Sequence, residues 1–107
     1  MANAFKNAGA AIGATRTDVY TCPSATEAVI HALYLSNVDG ATSVDATIEV
    51  YDSSGATYYH VGKTLPVPAD STLVFDKPLN LEVGDKLTVT ASTASDLECF
   101  ASILEIT

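Results

Sequence analysis

Basic side chains are scarce in this sequence of 107 residues, which carries five Lys and Arg residues against thirteen Asp and Glu residues. The formal net charge of −8 is the reverse of what a nucleic-acid surface needs, because successive phosphates are neutralised by clustered cations. Anionic membrane surfaces attract basic segments for the same reason. The sequence therefore predicts neither a nucleic acid nor a membrane as a partner.

Charged residues of either sign are few. Charged residues make up 17% of the chain, whereas they form about a quarter of an average soluble domain. Ala, Thr and Ser take the places that Lys and Glu usually fill on a soluble surface. This composition favours a domain that leaves part of its outer face to be covered by another protein.

Motifs of hydrolases, metal centres and phosphate-binding loops are missing. The two histidines, His31 and His60, fall in the middle of predicted strands, where a core or interface imidazole is the expected role. The two cysteines, Cys22 and Cys99, cannot fill a structural zinc site without other ligands. We expect them to be small buried side chains, with a disulfide between them as the alternative. The sequence predicts no catalytic residue, no metal and no cofactor.

Long apolar runs are absent as well. No segment approaches the roughly 20 apolar residues that a membrane helix requires. Residues 1–7 lack the basic region and the apolar stretch of a signal peptide. We therefore expect the protein to be made in the cytoplasm and to stay there, unless it leaves the cell inside a particle.

Short segments in which apolar and polar residues alternate make up most of the chain. This two-residue period places one set of side chains on a buried sheet face and the other set toward water. Gly, Pro, Asp or Ser interrupts the pattern about every dozen residues. The pattern predicts strands at residues 15–22, 26–36, 44–51, 56–64, 71–75, 79–81, 86–92 and 97–106, with an extended crossover at 65–70. About eight strands predict an all-β fold, a two-sheet antiparallel β-sandwich that is jelly-roll-like.

Residues 1–14 differ from the rest, being rich in Ala and Gly with one aromatic residue, Phe5. A short helix across residues 2–11 is compatible with the Ala content, although Gly9 and Gly13 weaken it. We expect an N-terminal arm at residues 1–14, flexible alone and ordered against a partner, followed by the sandwich domain at residues 15–107. A frayed terminus is the alternative.

Two predicted strands, residues 26–36 and 97–106, are apolar on both faces. One face of each can fill the core, but the other would be exposed on a lone monomer. A second apolar face on a small domain implies burial by another subunit or by the arm. The side chains expected at such an interface are Phe5, Ile30, Tyr34, Phe100, Leu104 and Ile106.

Two alternatives arise from other residues. Tyr51, Tyr58 and Tyr59 border one predicted hairpin, and sugar-binding sandwiches stack pyranose rings on exposed aromatic side chains. A carbohydrate-binding or host-adhesion module is therefore an alternative function, although paired tyrosines also stabilise sheets.

Calcium is a weaker alternative. It would rest on Asp39, Asp45 and Asp52, which crowd the loops around the third strand. Their spacing is not that of an EF-hand. Turn formation alone accounts for Asp39 and Asp52.

A series of motifs in fixed order resembles small virion proteins of tailed bacteriophages. Residues 19–23 read Val-Tyr-Thr-Cys-Pro, and residues 28–40 read Ala-Val-Ile-His-Ala-Leu-Tyr-Leu-Ser-Asn-Val-Asp-Gly. Residues 67–73 read Val-Pro-Ala-Asp-Ser-Thr-Leu, and residues 81–89 read Leu-Glu-Val-Gly-Asp-Lys-Leu-Thr-Val. The ending Leu-Glu-Ile-Thr also fits. The chain departs from the pattern at position 22, where Cys replaces Val, and at position 70, where Asp replaces Gly.

This resemblance implies a compact sandwich placed on a virion, as a capsid decoration (cement) protein or as a head-to-tail or tail accessory protein. It carries over no catalytic residue. Its partners would be the major capsid protein or other virion proteins, together with further copies of the chain. Decoration proteins often occupy local three-fold positions, so the resemblance favours a trimer. It also implies a virion component that is assembled in the host cytoplasm.

Overall fold

The computed structural model describes residues 2–107. These residues form nine β-strands and no helix, which confirms the all-β prediction. None of them belongs to a helix that could cross a membrane. The strands are β1 (Asn3–Ile12), β2 (Thr17–Thr21), β3 (Glu27–Asn37), β4 (Val44–Asp52), β5 (Thr57–Val67), β6 (Thr72–Phe75), β7 (Leu79–Leu81), β8 (Lys86–Ala91) and β9 (Leu97–Ile106).

The strands form two antiparallel sheets that pack as a sandwich. The larger sheet has the order β1-β9-β3-β6, and the smaller sheet has the order β2-β8-β4-β5. Strands β6 and β7 both pair with β3, β6 with residues 33–36 and β7 with residues 28–30. The two short strands therefore lie one after the other along the same edge of the sheet, and the break between them is around Pro78. Eight positions in this order make a jelly roll, which confirms the predicted fold class.

Strand β5 runs further than the sequence pattern predicts. Pro66 lies within it and pairs with Asp45 of β4. A proline is tolerated here because β5 is the edge of the smaller sheet, where the missing N–H faces away from the ladder. The extended crossover to β6 therefore begins only after Val67.

Residues 3–12 form an edge strand, so the expectation of a short helix is wrong. Strand β1 pairs with β9 in unbroken register, from Asn3 opposite Ile106 to Ile12 opposite Leu97. Sheet pairing along ten residues overrides the helix propensity of Ala, which is a weak preference. Of its ten side chains only Ile12 is buried, so β1 is held mainly through its backbone.

Aliphatic side chains from the facing surfaces of the two sheets fill the core. Leu35 and Leu97 of the larger sheet are fully buried, as are Ile48 and Val89 of the smaller sheet. Both thiols, Cys22 and Cys99, lie in this core and are unbonded. Burial raises the pKa of the Cys99 thiol to about 12, and burial likewise raises the pKa of Cys22.

A β-bulge in β3 changes which side chains of this strand face inward. The register against β9 shifts between Ile30 and Ala32, because one extra residue is inserted into β3 at this point. Ile30 is buried before the bulge, and Leu33 is buried after it. Ile30 is therefore a core residue with 1% exposure, and the prediction that it shares an interface face with Tyr34 is wrong.

Candidate interaction surface

The outer face of the larger sheet carries an uncharged, mainly apolar area, which we call the outer patch. Its large exposed side chains come from all four strand positions of the sheet. Phe5 is 84% exposed, Val74 48%, Phe100 46% and Tyr34 39%. These values are high for apolar groups of this size in one contiguous area, and such areas mark interaction sites. The outer patch consists of Phe5, Val29, Tyr34, Val74, Phe100 and Leu104.

Strand register places these side chains in two rows across the sheet. In the first row Gly9 of β1 lies opposite Phe100, which pairs with Tyr34, which in turn pairs with Val74. In the second row Phe5 lies opposite Leu104, and Leu104 lies opposite Val29. Paired residues in an antiparallel sheet project on the same face, so both rows point away from the core.

Charged side chains are absent from both rows and from the row between them, which consists of Asn7, Ser102 and Ala32. Glu98 and Glu27 stand in the rows beyond the patch at either end. His31 sits at the bulge, is exposed, and shares a shallow groove with Phe5 and Phe100. The centre of the patch can therefore be dehydrated without burying a permanent charge.

The structure places the sequence-predicted interface residues in three settings. Phe5, Tyr34, Phe100 and Leu104 belong to the outer patch, and Ile106 is half-buried on the same face beside Glu27. Ile30 is in the core. The alternation in β9 is regular and was readable from the sequence, whereas the bulge in β3 has no Gly, Pro or charge to signal it.

Two patch residues, Val29 and Val74, were not singled out by sequence reasoning. Val29 precedes the bulge and Tyr34 follows it. Counting every second residue from Tyr34 therefore places Val29 on the inner face, although it points outward. Val74 lies on the four-residue strand β6, which is too short for its alternation to be informative.

The outer face of the smaller sheet is polar and internally bonded. The Arg16 guanidinium contacts both Glu49 carboxylate oxygens at 3.1 Å, and it lies 3.7 Å from the ring centroid of Tyr58. His60 Nε2 is 3.8 Å from Glu49 Oε2. The hydrogen bond to Glu49 raises the pKa of Arg16, so the guanidinium stays charged. Lys86 lies 3.5 Å from Asp18 on the same face.

The three tyrosines considered for sugar stacking do not form one platform. The rings of Tyr51 and Tyr58 are 4.8 Å apart and tilted by 49°, and Arg16 covers the Tyr58 ring. Tyr59 is the next residue along β5, so it points to the opposite face of the sheet. Tyr59 is 59% exposed but stands apart from the other two.

The acids considered for calcium are also separated. Asp45 and Asp52 lie near opposite ends of β4, about 23 Å apart at the usual rise per residue. A different group, Asp52, Glu82 and Asp85, brings carboxylate oxygens within 4.8 Å of one another. Asp85 already accepts bonds from the Ser53 N–H and hydroxyl and from the Glu82 N–H, each at 2.9 Å. These hydrogen bonds explain the position of the Asp85 carboxylate, which anchors the turn.

Comparison with known proteins gives structural neighbours only. No family model and no curated protein match the chain. A protein of the disulfide-linked pili that form Bacillus endospore appendages superposes with a TM-score of 0.60 at 20% identity, covering 99% of this chain and 87% of that one. A protein from the acid-stable capsid of Helicobacter pylori bacteriophage KHP30 gives 0.60 at 10% identity, covering 100% and 89%.

A third neighbour comes from the T13 viral particle of IBDV. It gives a TM-score of 0.57 at 7% identity, and it matches 96% of this chain but only 30% of its own. At these identities the likeness concerns the fold. The jelly roll of this chain is thus similar to domains that build viral shells and surface filaments.

Proposed function

We propose that this protein is a structural component of a bacteriophage virion that binds the capsid surface as a decoration protein. The observation that carries the proposal is the outer patch, a charge-free apolar area on one face of a jelly roll whose opposite face is polar. The sequence motifs shared with small phage virion proteins and the similarity of the fold to capsid domains support the same conclusion.

The role would be passive. Each copy would bury its outer patch against the major capsid protein or another virion protein, and the dehydrated area would stabilise the shell. Standard protein interfaces bury roughly 1,600 Å² in total, and repetition over a lattice multiplies a modest contact. The aromatic side chains Tyr34 and Phe100 would be the principal anchors, since Tyr and other aromatic residues dominate interface energetics.

The proposal is tested with purified virions. Mass spectrometry should find the chain at a fixed, high copy number relative to the major capsid protein. Particles stripped of the protein should rebind wild type, whereas Phe100→Ser should weaken binding at least tenfold. Tyr59→Ser is the matched control, because it removes an aromatic ring of similar exposure from the other sheet. Equal binding by both variants would contradict the proposal.

A carbohydrate-binding or adhesion module remains the alternative from another functional class, and a head-to-tail or tail accessory role the alternative within the virion. The separation of Tyr59 from Tyr51 and Tyr58 weighs against a sugar platform. Saturable glycan binding that is abolished by Tyr58→Ala would support the module. Copy numbers near those of neck or tail proteins would support the accessory role.

A filament subunit is a second candidate, favoured by the full-length superposition on the Bacillus appendage protein. Such a subunit would assemble with itself in the absence of any capsid. Negative-stain electron microscopy of the concentrated protein separates the two candidates: fibres support the filament, and discrete small particles support the virion component.

A further inference from the structure

Three of the four sheet edges in the described residues 2–107 carry devices that block edge-to-edge pairing. Strand β2 has five residues and a bulge at Val19. Strand β5 has two register shifts, a left-handed residue at Thr64 and a proline at position 66. Strands β6 and β7 have four and three residues and are broken by Pro78. Short strands, bulges, prolines and charges are the usual means of protecting an edge.

The fourth edge, β1, has none of these devices apart from one charge, Lys6. It is ten residues long, its register is unbroken, and it contains no proline and a single charged residue, Lys6. A long, flat edge that carries a single charge is a template for another strand. Because the other three edges are protected, the unprotected edge of β1 indicates that this strand is available for pairing.

The backbone groups available on this edge can be identified. Ala2 and Thr107 exchange both backbone hydrogen bonds, at 3.1 and 2.9 Å. Antiparallel ladders alternate between bonded and non-bonded pairs, so even-numbered residues of β1 bond to β9. The odd-numbered residues direct their N–H and C=O groups to the free side, where the described residues supply no partner. These residues are Asn3, Phe5, Asn7, Gly9 and Ala11.

We propose that the free edge of β1 pairs antiparallel with β1 of a second copy, about a two-fold axis at Asn7. This register places residue 5 opposite residue 9 of the other copy and residue 3 opposite residue 11. It uses all five free positions on each chain. It also places Asn7 opposite itself, where an amide is both donor and acceptor and can bond its own copy.

Side-chain shape selects this register and this occupant. Phe5 has the most exposed large apolar side chain of the described residues, at 84%, and it has only Leu104 as a cross-strand neighbour in its own sheet. In the pairing it lies across Gly9 of the other copy. A methyl group at Gly9 would lie 3.5 Å from Cδ1 of Phe100, so Phe5 would cover Gly9 and approach the Phe100 ring. Such aromatic cover of a sheet glycine stabilises strand pairs.

Charge also favours a second copy. The chain has thirteen acids and would repel itself over most of its surface, but residues 2–14 contain none. Pairing through β1 therefore joins two acidic molecules at their least acidic edge. The two outer patches become one continuous face, because paired strands extend the same sheet.

Disulfide trapping tests the register directly in the full chain. Cα atoms of a bonded antiparallel pair are about 5.5 Å apart, a separation that a disulfide spans. Asn7→Cys should therefore give a covalent dimer as the main species on a non-reducing gel after mild oxidation. Ala11→Cys is the matched control on the same strand and face. It should give less than a tenth as much, since residue 11 lies opposite residue 3.

A failure of Asn7→Cys to dimerise, or equal dimerisation of Ala11→Cys, would overturn the inference. Light scattering gives a second measurement: wild type should have twice the mass of the chain, and Asn7→Pro, which removes one free-edge N–H but no bond to β9, should have the mass of a single chain while keeping its circular dichroism. A folded Asn7→Pro dimer, or the trimer favoured by the resemblance, would contradict it. The inference does not rest on the proposed function, because particle binding can be lost or retained independently.

Discussion

The two outer faces of this sandwich are built by the same alternation of side chains and yet have opposite chemistry. The smaller sheet presents Glu49, held by Arg16 and approached by His60, so its charges are satisfied within the chain. The larger sheet presents Phe5, Phe100 and their neighbours without a charge in three successive rows. The polar face is completed by its own side chains, and we propose that a partner completes the other face.

The largest effect is expected on the free energy of unfolding, when an inward-facing and an outward-facing residue of β3 are each replaced. Ile30→Ala should lower the free energy of unfolding by about 2–5 kcal/mol, because it leaves a cavity in the core. Tyr34→Ala should lower it by about 1 kcal/mol or less, since only partly exposed cross-strand contacts with Phe100 and Val74 are lost. Urea denaturation of both variants measures this. Similar losses of unfolding free energy in the two variants would contradict the position of the bulge, because Ile30 would then not be a core residue.

A smaller effect is expected at the junction between the sheets, in the turn after β7. Burial opposes ionisation of Asp85, but the bonds from Ser53 and Glu82 outweigh it and lower the pKa of the carboxyl group. Asp85→Ala should lower the free energy of unfolding by about 2 kcal/mol, and it should leave particle binding by the outer patch unchanged.

The contribution of Asp85 should also depend on pH. A pKa that is lower in the folded state stabilises the protein above the unfolded value of about 3.9, and this contribution is lost as the pH falls through the folded value. Denaturation midpoints of wild type and Asp85→Ala should therefore differ most at pH 7, and the difference should shrink as the pH falls below about 4. A constant difference across this range would argue against the ionised anchor.

Replacing Glu49, the central acid on the polar outer face of the smaller sheet, should have a smaller effect on stability than Asp85→Ala. Glu49→Gln loses the ionic contact with Arg16 but keeps the size of the side chain, so the denaturation midpoint should fall by less than in Asp85→Ala. Added salt should reduce part of the wild-type advantage, because the Arg16 side of the ion pair is exposed to solvent and is screened. A loss of particle binding in this variant would place the partner on the polar face and reverse the comparison.

The smallest effect is the salt response of the outer patch itself. An association through uncharged rows should change less than about twofold between 50 and 500 mM NaCl, since there is no charge at its centre to screen. Binding to stripped particles, measured by sedimentation at both concentrations, checks this. A tenfold decrease at high salt would show that the charged rim around Glu98 carries the contact.

The sequence predicts most of the fold because alternation marks the strands β4, β8 and β9, and because turn residues mark the ends of most of the others. Residues 97–106 alternate without interruption, so the outward direction of Phe100 and Leu104 followed from counting. The bulge at Ile30 could not be predicted, since the residues there are ordinary strand formers and the insertion is specified by pairing with β9. Strand β1 was missed for a related reason: its Ala and Gly residues have no strand propensity, and only the ladder to β9 makes them extended.

The central claim is that the outer patch is covered in the assembled particle and the polar face is not. Hydroxyl-radical footprinting of the free protein and of the protein on intact particles compares the two faces in one experiment. Modification of Tyr34 and Phe100 should fall at least fivefold on the particle, while His60, which lies exposed on the polar outer face beside Glu49, should be modified equally in both samples. Protection of His60 with Tyr34 and Phe100 still reactive would contradict the account.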